Sequence, residues 1–576
     1  MKFIHFIIII IGFLFSCINL SAQQVSPSIA EQVAENFMSS LMNDVSYIQS
    51  RNPSTITNNQ PYLDTTIVIR RRDQQLPIMY LVFKNGIWVL VAADNRITPI
   101  LAYSDYMHGV NYSEDSIPPA AHDLLDWYEK QITYVQDSAN YLSADTTWNK
   151  YMLAPIASSQ SVVVEALLQR DGMWIHWQQQ GNAERYLLPT ESNCYNKFCP
   201  AGDTCAHSIV GCVAVAMGQL MWYWMWPHAI LTEANNTTFI REYDWNMMPP
   251  MLFNSTPLHC VDMVAHLLHD AGESVNMLYG CGESLASSSE VPSALQDVFG
   301  YAADNLRPRN SYSAATWLSL LKNELNNGRP IYYSGRTPNQ TVGHAFVIDG
   351  YDSSNHFHMN FGFHPATFAN GYFLLDSIAH VISNQFEYTL NQTAVLGIYP
   401  NYPDCSPMSI SSPLTWSTSK FIVQNGGGIT IENRIVVSNQ KGVIYSGDYI
   451  RLTNGVHIQS GANVHLAIKD MKCGTNNPAP NNLPSRNLNT NPSDNSSSPK
   501  DVTSELLQVV YNPTNKMIRI LNGEEISAIN VYSISGQLVQ TYSRPNMDIS
   551  FLSSGVYIVT AQTSTGEKVQ EKIAVY

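Results

Sequence analysis

The 576-residue chain contains little charge and no concentration of basic residues. Charged residues make up only 13%, and 31 Lys and Arg stand against 46 Asp and Glu, for a formal net charge of −15. Such a chain is a poor partner for nucleic acid or for an anionic membrane surface. Hydrophobic residues make up 45%, so the composition is globular, and the length predicts about four domains.

The chain also lacks the motifs of nucleotide-dependent and metal-dependent enzymes. It contains no P-loop and no dinucleotide-binding fingerprint. His266 and His269 lie three residues apart on an expected helix, without the glutamate of a zinc peptidase. We therefore expect no metal and no cofactor.

No apolar run is long enough to cross a bilayer, which takes about 20 residues. The run Phe3 to Phe15 follows Lys2, and Ser21-Ala22-Gln23 offers a small-residue cleavage site. We therefore predict a signal peptide over residues 1–22 and an exported protein. The segment Leu14–Cys17 is faintly similar to a lipoprotein box, which leaves lipid attachment open as an alternative.

A buried helix is predicted to begin at Cys212, because apolar residues fill every face of Gly211–Tyr223. The positive end of the helix dipole favours a thiolate there. Unpaired N–H groups at this end lie near any oxyanion formed at the sulfur, so the backbone of Gly211 and Cys212 is the expected oxyanion site. A lone cysteine at this place is also compatible with plain core packing.

A second stretch supplies a base and an orienting group. A hairpin centred near residue 353 places His344 and Asn360 nearly opposite each other, within a residue or two of register. The Asn360 oxygen would then accept from one imidazole nitrogen and direct the other toward a thiol. Cys212 precedes His344 by 132 residues, and His344 precedes Asn360 by 16, near the separation of about 130 to 150 residues in papain-like enzymes.

These segments resemble the streptopain family of cysteine peptidases over about residues 155–400. Val210–Gln219 resembles its nucleophile segment, Gly343–Gly350 its histidine segment and His358–Phe363 its asparagine strand. The resemblance implies a papain-like α+β domain and acyl transfer from a peptide to water. It implies the following site residues: the nucleophile Cys212, the general base and acid His344, the imidazole-orienting Asn360, and the substrate-cleft residues Gly282, Ser287 and Gly343.

Two positions depart from the family pattern. The family carries an oxyanion-donating glutamine six residues before the cysteine, whereas this chain has Ala206 followed by His207. Losing one such donor costs about 100- to 1000-fold in rate, so another donor is needed, and His207 is a candidate. The family's Trp-Gly-Trp-Gly-Gly is replaced by Phe361–Pro365 (Phe-Gly-Phe-His-Pro), whose aromatic rings still shield the His–Asn contact.

Cysteines are few, and eight of the nine remain once the signal peptide is removed. In an oxidising compartment we expect a disulfide near the nucleophile, such as Cys199 to Cys205. A zinc site is the alternative, formed by Cys194, Cys199, Cys205 and His207. With Cys212 free, seven cysteines remain, so at least one more is unpaired or pairs between chains.

The two ends of the chain also resemble known modules. Ile29–Met38 and Gly86–Arg96 resemble the streptopain propeptide, which implies an inactive precursor whose cleft is covered until the chain is cut near residues 150 to 160. The C-terminal segment alternates apolar and polar residues in short runs separated by turn signals. Its motifs, such as Leu552–Val559, resemble the sorting domain of the type IX secretion system of Bacteroidetes-type bacteria. This implies the secretion machinery as a partner and leaves the protein secreted or attached to the cell surface.

The expected fold class is therefore α+β. A papain-like catalytic domain is preceded by an α+β propeptide and followed by all-β domains that include an immunoglobulin-like C-terminal sandwich. The short repeated strands Ile450–Leu452, Val456–Ile458 and Val464–Leu466 suggest stacked β-rungs in the small β-domain. The expected boundaries are a signal peptide (1–22), a propeptide (23–154), a peptidase domain (155–400), a small β-domain (401–473), a flexible linker (474–500) and a sorting domain (501–576).

The function expected from these residues is that of a secreted cysteine endopeptidase made as a zymogen, acting on polypeptides and inhibited by its own propeptide. Three alternatives stay open. One is another Cys-His-Asn acyl enzyme of transglutaminase or amidase type. The second is a surface-binding protein on an inactive peptidase scaffold, which the Ala206 departure favours. The third is a protease inhibitor, against which the complete triad argues.

Overall fold

The computed structural model of the chain describes most residues between 24 and 575. The expected signal peptide and nearly all of the expected linker lie outside the described residues. None of the helices described is long and apolar enough to cross a membrane. The chain divides into two compact units, residues 1–488 and 489–576. The described residues are 24–42, 64–71, 76–84, 87–104, 119–138, 143–152, 162–170, 173–179, 194–234, 237–253, 256–335, 343–363, 370–375, 392–411, 420–436, 438–469, 471–474, 508–512, 517–521, 526–533, 537–542, 546–549, 552–553, 555–563 and 568–575.

The N-terminal segment packs helices on an antiparallel sheet. Val33, Phe37 and Leu41 recur at helical spacing and are buried against the sheet, because they share one face of the first helix. The elements are helices α1 (Pro27–Met42), α2 (Pro119–Ser138) and α3 (Trp148–Met152), and strands β1 (Thr65–Arg70), β2 (Pro77–Lys84), β3 (Ile87–Ala92) and β4 (Ile100–Tyr103).

The segment from 162 to 400 combines a helical part with more antiparallel strands. Its helices are α4 (Cys212–Trp224), α5 (Leu258–Ser274), α6 (Val291–Ser293) and α7 (Ala314–Asn326). Its strands are β5 (Val162–Val164), β6 (Gln169–Arg170), β7 (Met173–Trp174), β8 (Ala229–Ala234), β9 (Thr237–Glu242), β10 (Tyr301–Ala302), β11 (Arg307–Pro308), β12 (Ile331–Gly335), β13 (His344–Asp352), β14 (His356–Asn360), β15 (Asn370–Leu374), β16 (Thr393–Val395) and β17 (Tyr399–Pro400).

One antiparallel sheet runs through both segments in the order β1-β2-β3-β4-β15-β14-β13-β12-β16-β11, with β5 paired to β13. The junction is between β4 and β15, where Ala102 pairs with Phe373 and Tyr103 with Tyr372. Every residue of β13 and β14 is buried, because helices and loops cover both faces of these central strands. Helix α4 packs against β13, which brings the nucleophile segment to the histidine strand.

Residues 408–468 form a small parallel β-solenoid, with strands stacked at intervals of 21 or 22 residues. The expectation of β-rungs is confirmed. The three repeated strands are not stacked on one another, however: they follow each other around the coil, and each belongs to a different sheet. A disulfide between Cys405 and Cys473 closes the segment. The strands are β18 (Met408–Ile410), β19 (Lys420–Asn425), β20 (Ile429–Ile431), β21 (Ile435–Val436), β22 (Lys441–Ser446), β23 (Ile450–Leu452), β24 (His457–Ile458) and β25 (Asn463–Ile468).

The C-terminal unit consists of two antiparallel sheets, β26-β27-β30 and β29-β28-β31-β32. Its strands lie where the alternating sequence pattern predicts them, because Asn- and Gly-containing turns separate the runs. They are β26 (Gln508–Asn512), β27 (Met517–Leu521), β28 (Ile526–Ser533), β29 (Leu538–Tyr542), β30 (Asn546–Asp548), β31 (Gly555–Thr563) and β32 (Lys568–Val575).

Candidate active site

Cys212 is the first residue of α4, as the sequence predicts. The preceding Gly211 has φ +90°, and a Cβ atom there would lie 2.7 Å from Met277 Cε, so only glycine fits this entry into the helix. The first N–H groups of a helix have no intrahelical acceptor. The backbone N–H of Cys212 is therefore placed to donate to an oxygen that develops negative charge beside the sulfur.

His344 begins β13, and its imidazole neighbours the Cys212 thiol, whose pKa it lowers. The Nε2 atom of His344 lies 2.9 Å from the carbonyl oxygen of Phe361. Because a carbonyl only accepts, Nε2 carries the proton, which leaves Nδ1 as the nitrogen available to the sulfur. The ring of Phe363 stacks on the imidazole at a centroid distance of 5.5 Å and covers it from solvent.

The surroundings of Cys212 favour the thiolate. Burial on its own raises the pKa of the Cys212 thiol, but the neighbouring His344 imidazole and its hydrogen bond outweigh this effect. Backbone N–H groups of Ala345 and Val213 add to the lowering, and the pKa lies below its ordinary value. A thiolate–imidazolium pair is the reactive form that nucleophilic attack at a carbonyl requires.

None of the Asn360 side-chain hydrogen bonds is to His344, and the structure differs here from the direct imidazole–amide bond expected from the sequence. Asn360 pairs with Val347 across the hairpin, so it lies three positions away from His344. The turn is centred near residue 354, one residue later than expected, and a bulge lies between Ile348 and Gly350. As a result, the chain beside His344 is Phe361 and the residues that follow it.

The Asn360 side chain instead organises the turn after β14. Its Oδ1 accepts from the backbone N–H of Gly362 at 3.1 Å and from Gln219 Nε2 at 3.1 Å. Its Nδ2 donates to the carbonyl oxygen of Ile175 at 2.9 Å. The amide is 3% exposed, and its donor and acceptor are both satisfied, as burial requires.

Cys212 and His344 lie in one cleft of about 400 Å³. Ser287 and Gly343 line this cleft, in agreement with their expected place, whereas Gly282 is not among its lining residues. The floor carries hydroxyl groups, with Ser288 Oγ 3.0 Å from Ser334 Oγ. The lining residues described come from residues 212–393.

The missing glutamine is not replaced by His207 in this structure. Ala206 is exposed, and neither residue lines the cleft. The Nδ1 atom of His207 lies 3.2 Å from the carbonyl oxygen of Cys199, so the ring is hydrogen-bonded within the loop before α4. The N-terminal end of α4 is the remaining candidate for the oxyanion donor.

The disulfide beside the cleft is Cys205–Cys281, and the expected Cys199–Cys205 pairing is wrong. It ties the loop before α4 to the segment that leads into Ser284–Ser289 of the cleft. In the described part of the chain, Cys194, Cys199, Cys212 and Cys260 are not joined in a disulfide. Cys205, one of the four residues of the zinc alternative, is held in the disulfide to Cys281. Among the residues described, no cluster of His, Cys, Asp and Glu is suited to a metal ion.

Sequence reasoning missed two contributors to this arrangement. The Phe361 carbonyl leaves no trace in a sequence, because every residue carries one. Gln219 is a fully buried polar residue in an otherwise apolar helix, and that contrast could have marked it, since buried amides are usually hydrogen-bonded to something specific.

Comparison with known protein families agrees with this site. Residues 190–373 match the Peptidase C10 family, residues 22–132 match the Spi protease inhibitor family, and residues 509–576 match a secretion system C-terminal sorting domain. The chain thus combines a cysteine peptidase domain, an inhibitor-like propeptide and a sorting domain of the type IX kind.

The chain is 31% identical to streptopain of Streptococcus pyogenes over 313 residues, which are 51% of this chain and 72% of streptopain. It belongs to the peptidase C10, or streptopain, family of cysteine peptidases. It is also 27% identical over 410 residues to the thiol protease/hemagglutinin PrtT of Porphyromonas gingivalis, covering 68% of this chain and 44% of PrtT. A solved fragment of Prevotella intermedia prointerpain A aligns with 59% of this chain and all of the fragment, at 19% identity and a TM-score of 0.43.

Proposed function

We propose that this peptidase is a secreted endopeptidase, made as a zymogen, that cleaves polypeptides through a thioester on Cys212. The observation that carries the proposal is that Cys212 and His344 line one cleft, where the imidazole lowers the pKa of the thiol. The pKa of the thiol, held below its ordinary value, supplies the nucleophile.

In the first half-reaction the Cys212 thiolate attacks the scissile carbonyl carbon and forms a C–S bond. The N–H groups at the start of α4 donate hydrogen bonds to the developing oxyanion. The His344 imidazolium then gives its Nδ1 proton to the leaving amine as the C–N bond breaks. In the second half-reaction His344 takes a proton from water, which attacks the thioester and releases the carboxylate product and the thiolate.

The Phe361 carbonyl holds the imidazole in the tautomer and orientation that both steps need. Asn360, expected to orient the ring directly, acts on it through the turn that carries Phe361. Ser287 and Gly343 are proposed substrate-binding residues on the cleft wall, while Gly282 is proposed only as a neighbour of that wall.

The remaining segments are assigned as follows. Residues 1–22 act as a signal peptide, residues 23–154 as an inhibitory propeptide, and residues 155–400 as a papain-like peptidase domain. Residues 401–473 form a structural β-domain. Residues 474–500 act as a linker, and residues 501–576 as an immunoglobulin-like sorting sandwich that passes the protein through a type IX machinery, to be released or retained on the cell surface.

The test is incubation of the purified full-length precursor and its Cys212→Ala variant, followed by mass spectrometry of the fragments and a casein assay. The precursor is expected to cut itself near residues 150 to 160 and then to degrade casein, while the variant does neither. Turnover by the variant would overturn the proposal. Ammonia release from glutamine peptides without proteolysis would favour an amidase, and an intact precursor without accelerated thiol labelling would favour an inactive binding scaffold.

A further inference from the structure

Gln219 lies on α4 two helical turns after Cys212 and is fully buried. Its Nε2 atom donates to Asn360 Oδ1 at 3.1 Å and to the carbonyl oxygen of Trp177 at 3.3 Å. Two acceptors on one side fix which way the amide points. The Oε1 atom is buried without a hydrogen-bond partner, an unfavourable arrangement that an apolar residue at this position would avoid.

The other end of this contact is the turn that holds the histidine. Asn360 Oδ1 also accepts from the N–H of Gly362, a side-chain-to-backbone bond two residues ahead that closes the turn around Phe361. Gly362 has φ +73°, and a Cβ atom there would lie 2.9 Å from Val215 Cγ1. The turn therefore rests directly on α4, one helical turn after the nucleophile.

We propose that Gln219 is a positioning residue for the Cys212–His344 pair: its amide fixes Asn360, which shapes the turn that presents the Phe361 carbonyl to the imidazole. The inference rests on the proposed function and adds Gln219 as the residue that holds Cys212 and His344 in their relative orientation. Helix α4 thereby carries the Cys212 sulfur at its start. Through Gln219 it also supports the turn whose Phe361 carbonyl orients His344. Cys212 and His344 are 132 residues apart in the sequence. The hydrogen bond from Gln219 to Asn360 joins the helix of the nucleophile to the hairpin of the histidine and keeps the two in position.

Loss of this bond leaves Asn360 Oδ1 held by Gly362 N–H alone, which loosens the turn and lets the Phe361 carbonyl shift away from Nε2. The imidazole then samples orientations in which Nδ1 does not face the sulfur, and the thiolate loses its stabilising partner. Small displacements of catalytic groups reduce rates by about tenfold to a hundredfold. Substrate contacts on the cleft wall are untouched, so the loss falls on kcat rather than on KM.

The experiment measures the alkylation of Cys212 by iodoacetamide as a function of pH in the full-length chain, read by mass spectrometry of the Cys212 peptide. Gln219→Met keeps the side-chain length and removes the donor. We expect its alkylation rate at pH 6 to fall about tenfold, the order of loss that small displacements of catalytic groups cause. In matured enzyme kcat falls while KM stays within about twofold.

The matched control is Met217→Leu, a buried substitution on the same helix that lowers thermal stability without changing the alkylation profile. Gln219→Glu gives a second readout, because a protonated carboxyl regains a donor, so its defect relative to the unmodified protein shrinks as the pH falls. In the Gln219→Met/Asn360→Ala double variant, the Asn360 change should slow the alkylation of Cys212 little beyond the effect of Gln219→Met alone.

An alkylation profile of Gln219→Met like that of Met217→Leu would overturn the inference, as would independent, multiplying losses in the double variant. The unmodified protein serves as the internal check on the proposed function. If its Cys212 is no more reactive than Cys260, the proposed nucleophile is at fault rather than the role of Gln219.

Discussion

The Nε2 atom of His344 and the carbonyl oxygen of Phe361 lie 2.9 Å apart, so a backbone atom orients the imidazole. A backbone carbonyl cannot be removed by exchanging the side chain that precedes it. The catalytic pair is consequently sensitive to the shape of the turn at residues 360–362 and less sensitive to any one side chain within it.

Asn360→Ala is expected to retain measurable activity. The change removes the acceptor for Gly362 N–H but leaves the Phe361 carbonyl in the chain, so kcat should fall about 10- to 100-fold with little change in KM. His344→Ala removes the general acid and base and should cost more, up to about 10⁴-fold. Steady-state kinetics on a peptide substrate compares the two. Equal losses for both variants would show that Asn360 acts directly.

His344→Ala should raise the pKa of Cys212. Burial raises the pKa of this thiol, and His344 is the main influence that lowers it, so the variant leaves the effect of burial largely unopposed. Alkylation at neutral pH should slow, and its pH midpoint should move upward. The pH dependence of iodoacetamide labelling measures this directly. An unchanged midpoint would mean that the backbone donors alone hold the thiolate.

Gly362→Ala should impair both folding stability and catalysis. At φ +73° a residue other than glycine destabilises the folded chain by about 1 to 2 kcal/mol. The added Cβ would also clash with Val215. Gly282→Ala is the matched control, because a Cβ at Gly282 meets no atom within 4 Å. Thermal unfolding and kcat are measured for both. Equal behaviour of the two variants would argue against a tight turn at 362.

The precursor should lose stability as the pH rises above about 6.5. His356 Nδ1 lies 2.8 Å from Asp352 Oδ2, and its Nε2 lies 3.0 Å from the carbonyl oxygen of Ile100 in the N-terminal segment. Burial lowers the pKa of His356, but Asp352 and the Ile100 carbonyl outweigh burial and raise it, while Lys150 opposes them. Two acceptors require the doubly protonated ring.

Because the folded-state pKa of His356 is raised, its contribution is complete below the unfolded value of about 6.5 and is lost as the pH passes through the folded value. The Tm of the Cys212→Ala precursor, which does not process itself, should therefore decline across this window. His356→Gln should flatten that decline. A Tm decline identical in both chains would assign the pH dependence to other groups.

Much of this architecture could be predicted from local patterns. The start of α4 at Cys212 follows from a glycine before a uniformly apolar run, and the C-terminal strands follow from alternation between turn residues. The hairpin register could not be predicted as closely, because the bulge between Ile348 and Gly350 depends on packing against neighbouring strands. Asn360 pairs with Val347, three positions from His344, and only the register of the whole hairpin determines this distance.

The disulfide and the position of the N-terminal segment also depend on tertiary structure. Cys205 and Cys281 are 76 residues apart, and nothing in their spacing distinguishes this pairing from others. The junction of β4 with β15 joins two apolar strand edges whose sequences fit many partners. The disulfide pairing and the β4–β15 strand pairing both depend on how the whole core packs, which neither segment encodes alone.

The most direct test of the account is the stoichiometry of inactivation by a thiol-reactive inhibitor. The matured enzyme is labelled to increasing extents, the modified cysteines are identified by mass spectrometry, and the remaining peptidase activity is measured in the same samples. The account predicts that activity falls in proportion to the label on Cys212, while Cys194, Cys199 and Cys260 remain largely unmodified. Full activity in a sample whose Cys212 is completely labelled would contradict it.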